Sequence, residues 1–421
     1  MGERRVAITG IGVVAPGDVG TRAMWERIVS GAPATRLITA FDSTPFRSRV
    51  AAECDFDPRK EGLTEDDIER LDRACQVAVV ATREALADSN FECVPDNAHR
   101  VGVSIGNAVG CSQRLEQEYR AVSDEGRQWL VDHRRASPNL YDYYVPSSLA
   151  AEVAWLVGAE GPNSIVSAGC TSGVDAIGYA WQLIREGTVD VMVTGGAEAP
   201  ITPITVACFD AIKATSPRND DAGTASRPFD RTRNGFVLGE GAAVLVLEEL
   251  EHARARSAHV YGEVSGYACH GNAHHMTGLR PDGREMAAAI TSALDRAKLD
   301  PTAVDYVNAH GTATRQNDVH ETAAFKRSLG EHAYAVPVSS IKSVIGHSLG
   351  AVGAIEVAAC ALAIEHGVVP PTANLHRPDP ELDLDYVPLV GREQDLATVL
   401  TVASGFGGFQ SAMVLTDARV R

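Results

Sequence analysis

The chain contains no Cys-x-x-Cys pair, no low-complexity linker, little positive charge and no apolar run near the ~20 residues of a membrane-crossing helix. Each lack removes a class of protein. Its eight cysteines, at 54, 75, 93, 111, 170, 208, 269 and 360, show no paired spacing, and a disulfide framework is not expected in 421 residues of this composition. Lysine and arginine total 38 against 55 aspartates and glutamates, a net charge of −17, the wrong sign for gripping nucleic acid by counterion release. The longest apolar candidate, Ala351 to Ile364, carries Glu356 and reads as a buried helix. Met-Gly-Glu-Arg-Arg followed by Val6 to Pro16 faintly imitates a signal peptide, but Gly10 and Gly12 break the apolar stretch, which reads as a first strand and turn. Gly2 is followed by Val6 where a myristoylation signal needs Ser or Thr. A cytoplasmic globular protein is the expectation.

With 45% hydrophobic and 22% charged residues, the chain has material for two to three average domains or one large fused unit. Short β-rich segments (Val6–Thr9, Val101–Ile105, Val189–Val193, Ala243–Leu247) alternate with helical patterns, which predicts an α/β fold with buried sheets. Amphipathic helices are predicted over 66–88 and from Leu140 to Ala154. A weak internal repeat is visible. Val6–Thr9 before Gly10 resembles Val260–Ser265 before Gly266, and Ser164–Ala168 with the Cys170 turn, a helix and Gly187 parallels Pro337–Ile341 with the His347 turn, a helix and Gly367. The repeat divides the chain into similar halves, 1–255 and 256–421.

Three segments place reactive side chains beside glycines: Ala-Gly-Cys-Thr-Ser-Gly around Cys170, Asn-Ala-His-Gly-Thr around His310, and Lys-Ser-Val-Ile-Gly-His from Lys342 to His347. Cys170 stands between a strand and the helical stretch Gly173 to Arg185, where the positive end of a helix dipole is expected to lower a thiol pKa and backbone N–H groups form an oxyanion hole. One thiol and two imidazoles near neutral pKa suit carbon–carbon bond formation on a thioester. The bland alternatives are a buried structural cysteine, turn histidines bonded to backbone, and a Lys342 that is only a surface charge. Gly346-His-Ser-Leu-Gly350 matches the nucleophile elbow of hydrolases and acyltransferases, with Ser348 as nucleophile, but only His366 and His376 follow it. Gly10-Ile-Gly-Val-Val-Ala15 imitates a dinucleotide fingerprint until Pro16-Gly17-Asp18 breaks the helix it requires. His270, His274 and His275 crowd a loop without completing a metal shell.

These motifs, with Arg227-Pro-Phe-Asp230, Gly235-Phe-Val-Leu-Gly-Glu-Gly241, Val368-Val-Pro-Pro-Thr-Ala-Asn374 and Ser404-Gly-Phe-Gly-Gly408, resemble a β-ketoacyl synthase over nearly the whole chain. Ala207-Cys-Phe-Asp-Ala-Ile212, Thr314-Arg-Gln-Asn-Asp318, His275-Met-Thr-Gly278 and Gly408-Phe-Gln-Ser-Ala-Met413 resemble most the ketosynthase-alpha subunit of bacterial type II (aromatic) polyketide synthases. The resemblance implies a thiolase fold, two similar halves in a five-layered αβαβα arrangement. It implies that Cys170 takes the growing chain from an acyl carrier protein, that His310 and His347 support decarboxylation of malonyl-carrier protein, and that Lys342 supports the histidines. It further implies Phe406 as gate and oxyanion-hole partner of Cys170, Thr312 and Thr314 on the phosphopantetheine arm, and no bound cofactor. The implied partners are the carrier protein and a chain length factor, a homologous subunit without the active cysteine.

Departures from the pattern are Asn234 where many members carry Asp, and Phe409-Gln410 where elongating synthases of fatty-acid synthesis end the gate loop in Thr-Asn. The stretch matching the basic carrier-docking helix, Asp66 to Arg73, is mixed in charge, so Lys213, Arg70 and Arg73 become the docking candidates for an acidic carrier. The rivals are a fatty-acid β-ketoacyl synthase and a Ser348 acyltransferase or hydrolase. Thiolase-type chemistry on coenzyme A is disfavoured, because that family's second cysteine lies near the C-terminus and the last one here is Cys360.

Overall fold

Ten strands arranged in two runs of five organise the chain, as seen in a computed structural model that describes residues 3–419. Met1 and Gly2, where the signal-peptide and myristoylation readings begin, lie outside the described residues. The first run is β1 (Val6–Ala15), β2 (Val101–Gly106), β3 (Asn163–Val166), β4 (Val191–Glu198) and β5 (Gly241–Glu249). The second is β6 (Gly262–Gly271), β7 (Tyr306–Asn308), β8 (Val338–Ser339), β9 (Thr398–Gly405) and β10 (Phe409–Thr416). Their spatial order is β3-β2-β4-β5-β1 and then, continuing across the sheet, β6-β10-β9-β7-β8. In the first run β1 and β5, then β5 and β4, pair antiparallel, while β4 with β2 and β2 with β3 are parallel. The second run repeats that pattern, antiparallel for β6–β10–β9 and parallel for β9–β7–β8. Among the described residues the runs pair as strands through Ala7↔Glu263 and Ile8↔Gly262. Chance likeness in Ala/Gly-rich sequence does not reproduce strand order and direction together, so the internal repeat is structural.

The helices that position the site are α1 (Glu65–Arg70), α2 (Arg73–Ser89), α3 (Leu140–Tyr144), α4 (Ser148–Val157), α5 (Ser172–Arg185), α6 (Arg284–Ala297), α7 (Arg315–Leu329) and α8 (Leu349–His366). α2 and α4 cover the outer face of the first run through Val77, Ala81 and Val153 against Val103, Val193 and Val244. α6 and α7 cover the second through Ile290, Leu294 and Phe325 against Val402 and Val414. Between the two runs lie α5 and α8, with Val174, Ile177, Ile355 and Ala358 in one cluster with Leu245 and Met413. That is the αβαβα layering of the thiolase fold. α8 is buried from Leu349 through Ile364, which explains an apolar character all round its axis. Its length and composition would suit a membrane crossing, but it is the core helix of this fold.

Local structure departs from the sequence reading in three places. The helix expected over 66–88 is two, because Leu71 is extended and Asp72 caps α2 by accepting the Ala74 N–H at 2.9 Å. The helix expected from Leu140 to Ala154 also splits, since Pro146 holds Val145 at φ −95°, ψ 123° between α3 and α4. β1 does not stop at Gly10 but runs to Ala15. Its glycines admit α2 instead: a Cβ on Gly12 would fall 1.9 Å from the Ala81 carbonyl oxygen, and one on Gly10 2.3 Å from that of Ala85.

Candidate active site

Cys170 sits in the turn from β3 into α5. Gly169 takes φ +59°, and a Cβ there would come within 3.0 Å of the Phe406 carbonyl oxygen, so the turn lies hard against the β9–β10 hairpin. Hydroxyls hold its shape. Ser172 Oγ donates to Gly169 O at 2.6 Å, and Thr171 Oγ1 contacts Ala168 O at 2.9 Å and Asp175 Oδ2 at 2.6 Å. Buried Asp175 also accepts from Tyr267 Oη at 2.9 Å and Ser411 Oγ at 2.5 Å, tying the turn to strands of the second run. Burial pushes the Cys170 thiol up to about 12, although Lys342 and the Phe406 N–H pull the other way. Burial of the sulfur thus opposes the lowering expected from a helix terminus that begins two residues on.

The two imidazoles share a cavity with that thiol. His310 and His347 lie with ring centroids 5.3 Å apart and planes 87° apart, and both line one cavity of about 480 Å³ with Cys170. Glu321 on α7 fixes the first, accepting the backbone N–H of His310 at 2.5 Å and of Gly311 at 2.8 Å. The second is carried by the later half yet fastened to the earlier one: His347 N donates to Val237 O at 2.7 Å, and Gly239 N to His347 O at 2.9 Å. Burial holds both imidazoles well below their ordinary range, with the Lys342 charge acting in the same direction. They are neutral at pH 7, not near an unperturbed pKa. Lys342 is no surface charge; it is buried and ion-paired with Glu356 on α8. Burial pushes Glu356 up to about 7 against the pull of that lysine.

The other expected residues divide. Phe406 stands at the hairpin tip beside Cys170, with Phe209 at 6.4 Å between ring centroids. Thr312 and Thr314 line the cavity with their hydroxyls 3.0 Å apart, and Thr314 also caps α7. Lys213 lines the cavity in a left-handed conformation, φ +54°. Arg70 and Arg73 do not line it. Arg73 grips Glu240 at 2.7 and 2.8 Å and the Cys54 carbonyl at 3.2 Å, and Arg70 is engaged with Glu152, so both guanidiniums are held by the fold and neither is a free surface charge. Asn234 lines the cavity and accepts from Ser216 Oγ at 2.8 Å. Ser348 is buried, its hydroxyl has no hydrogen-bond partner and it does not line the cavity, which speaks against the elbow reading. His274 and His275 occupy an exposed loop, and no group of three or more metal-ligating side chains occurs among the described residues.

Sequence reasoning missed the carboxylates that hold these turns. Glu198 at the end of β4 accepts N–H groups of Ala108 at 2.6 Å, Val109 at 3.2 Å and Gly350 at 3.1 Å, joining both halves beside Cys170. Burial pushes it, like Glu321, up to about 8 against those donors. Glutamates far along the chain from the turns they hold carry no local spacing signal; Glu198 alone ends an otherwise largely apolar strand, while Glu321 lies in a helix rich in polar residues.

Comparison with known proteins follows the same outline. Residues 3–253 match the model of the beta-ketoacyl synthase N-terminal domain, and residues 261–376 that of its C-terminal domain. The tetracenomycin polyketide synthase ketoacyl synthase alpha subunit of Streptomyces glaucescens is 64% identical over 98% of this chain and 97% of its own. Among solved structures, the AntDE:AntF complex, a type II polyketide acyl carrier protein with its ketosynthase bound to the hexaketide, aligns with TM-score 0.92 and 37% identity over 99% of this chain and 100% of that one. The ishigamide ketosynthase/chain length factor aligns with TM-score 0.89 and 33% identity over 99% and 100%.

Proposed function

The chain belongs to the β-ketoacyl synthase family, and from that premise we propose that it is the catalytic ketosynthase of a type II (aromatic) polyketide synthase, working by decarboxylative Claisen condensation. The observation that carries this reading is the convergence of Cys170, His310 and His347 on one cavity. The Cys170 sulfur attacks the thioester of an acyl carrier protein, forming the acyl-enzyme and releasing the carrier thiol. Backbone N–H groups of Cys170 and Phe406 receive the oxyanion. Malonyl-carrier protein then enters, and the neutral imidazoles donate to its thioester oxygen as carbon dioxide leaves and an enolate forms. The enolate carbon attacks the Cys170 thioester, the sulfur departs, and the product leaves on its carrier two carbons longer. No step needs a bound cofactor.

Lys342 acts through its charge, which favours a thiolate at Cys170 and disfavours imidazolium at His310 and His347. Thr312 and Thr314 suit the phosphopantetheine arm, and Lys213 the acidic carrier at the cavity mouth. Arg70, half-buried beside Glu152, is at most an auxiliary contact. We place the junction of the halves, 1–255 and 256–421, in the stretch between β5 and β6, and the enzyme in the cytoplasm.

A homologous chain length factor completes the dimer. Trp129, Tyr141, Tyr144 and Trp155 are each over two-thirds exposed, in the residues just before the open edge strand β3. Such an apolar surface calls for a covering protein. Co-expression with the partner, size-exclusion chromatography and product analysis test the reading: a stable heterodimer that extends malonyl units to a defined length is expected. A stable homodimer that elongates saturated acyl-carrier substrates at full rate would favour the fatty-acid synthase reading instead.

A further inference from the structure

The chain carries 55 aspartates and glutamates and a net charge of −17, yet among the described residues none of them lines the cavity that holds Cys170. Two cations stand in that wall instead, Lys213 and Arg315. Both are exposed, and neither side chain forms an ion pair or hydrogen bond with the described residues. Lys213 already has a place in the docking of an acidic carrier. Arg315 has none. It belongs to Thr314-Arg-Gln-Asn-Asp318, one of the stretches by which the sequence resembles the polyketide branch, and the reacting set does not use it.

Local structure fixes where Arg315 starts. It opens α7 directly after Thr314, whose Oγ1 accepts the Asn317 N–H at 3.3 Å and lies 3.0 Å from that of Thr312. Gln316, the next residue, donates its side-chain amide to Leu279 O at 3.0 Å, and the same loop accepts the Gly407 N–H of the gate hairpin at Met276 O, 2.6 Å away. Gly235 N donates to Ala313 O at 3.1 Å, which brings Asn234 alongside the two threonines. An aspartate at 234, common in the family, would add a carboxylate to this wall; the amide adds none and still accepts from Ser216 Oγ at 2.8 Å. The neighbouring carboxylates are committed elsewhere. Asp379, near enough to feel the Arg315 charge, pairs with Arg233 at 2.6 Å, and Asp318 pairs with the same arginine at 3.1 Å. Asp210 accepts the Arg47 N–H at 2.9 Å and the Thr215 hydroxyl at 2.8 Å.

An unpaired guanidinium in a wall cleared of carboxylate fits an anion that arrives with the substrate. The acyl and malonyl donors of a ketosynthase share one such anion, the phosphate that joins the pantetheine arm to its carrier. A planar guanidinium can grip two phosphate oxygens at once, which an ammonium cannot. We propose that Arg315 binds the phosphate of the phosphopantetheine arm, and that Asn234 keeps the wall beside it free of negative charge. The inference deepens the ketosynthase reading given above and rests on it. It gives Arg315 a substrate contact shared by both half-reactions, and it gives the Asn234 departure a reason.

The test measures KM and kcat for acylation of Cys170, on the enzyme with its partner subunit, from three donors of the same acyl group: acyl-pantetheine, acyl-phosphopantetheine and the acyl carrier protein. Arg315→Gln should raise KM about fivefold or more for the two donors that carry phosphate, the size expected of a charge-assisted bond at an exposed site. KM for acyl-pantetheine should not change, nor should kcat for any donor. Asn234→Asp, which keeps the acceptor for Ser216, should raise the same two KM values by a smaller factor. Both increases should shrink as salt is added. An equal increase with acyl-pantetheine would overturn the proposal, because that donor has no phosphate. An increase confined to the carrier would also overturn it and assign Arg315 to carboxylates on the carrier's surface, and unchanged KM values throughout would leave Arg315 without a ligand. Should Arg315→Gln fail to assemble with its partner, Asn234→Asp decides between the same outcomes. Failure of the unaltered enzyme to take an acyl group on Cys170 from any of the three donors would instead overturn the ketosynthase reading, which keeps the two failures apart.

Discussion

The turns that carry Cys170 and His347 hold equivalent places in the two halves, each between the third strand of its run and a helix of the central layer, and they are built differently. The first passes from Val166 to Ser172 through one left-handed glycine and is held by hydroxyl groups. The second, from Ser339 to Leu349, inserts a short helical turn over Lys342–Ile345 and is held by the buried Lys342–Glu356 pair and by the Val237–Gly239 backbone. Burial acts on both, and because it disfavours charge, it raises a thiol and lowers an imidazole. One physical cause therefore leaves both reactive groups neutral. A repeated scaffold has been given two chemistries by changing only what fills the turn.

The comparison breaks most completely at its first member. Cys170→Ala should abolish elongation, and mass spectrometry after incubation with an acyl carrier should find the adduct on Cys170 of the unaltered enzyme and nowhere else. His310→Ala and His347→Ala should keep some self-acylation while losing malonyl decarboxylation by ~10²-fold or more, the amount expected for one transition-state donor; unchanged release of carbon dioxide in both would remove the assigned roles. Lys342→Met strands the buried Glu356 carboxylate, and denaturant unfolding should report a loss of about 3–5 kcal/mol, partly recovered in Lys342→Met/Glu356→Gln. The thiol side is sharpened by pH. With the Cys170 pKa at about 12, its alkylation by iodoacetamide should rise nearly tenfold per pH unit from 6.5 to 9.5 without levelling, because the thiolate fraction grows throughout that range. A plateau near neutral pH would mean a standing thiolate. Ser348→Ala should have the smallest effect, since its hydroxyl bonds nothing and lies outside the cavity.

What the sequence reveals here is the chemistry at turns, and what it hides is the polar support behind them. Gly-Cys-Thr-Ser-Gly and Ile-Gly-His are legible because a turn with a reactive side chain needs its glycines within a residue or two. The repeat was legible for a similar reason, as each half must restart the same strand, turn and helix. Gly10 and Gly12 misled because glycine marks close approach as well as a break, and only the packed α2 shows which applies. The ion pair of Arg73 was not legible because a helical arginine looks the same on paper whether it faces a partner protein or a buried Glu240. Glu198 and Glu321 were invisible because their partners are backbone N–H groups, which every residue but proline has.

The backbone bonds that fasten His347 to Val237 and Gly239 also order events in time. During synthesis the segment with the thiol and its receiving strand emerge first, and for much of the chain's growth they have no imidazole beside them. The second imidazole has its place only once its backbone pairs with that earlier segment. On the roles proposed above, a chain whose later half has not docked should hold the cysteine without driving carbon dioxide from a malonyl thioester, and the onset of decarboxylation in a translation reaction should report the closure of the two halves.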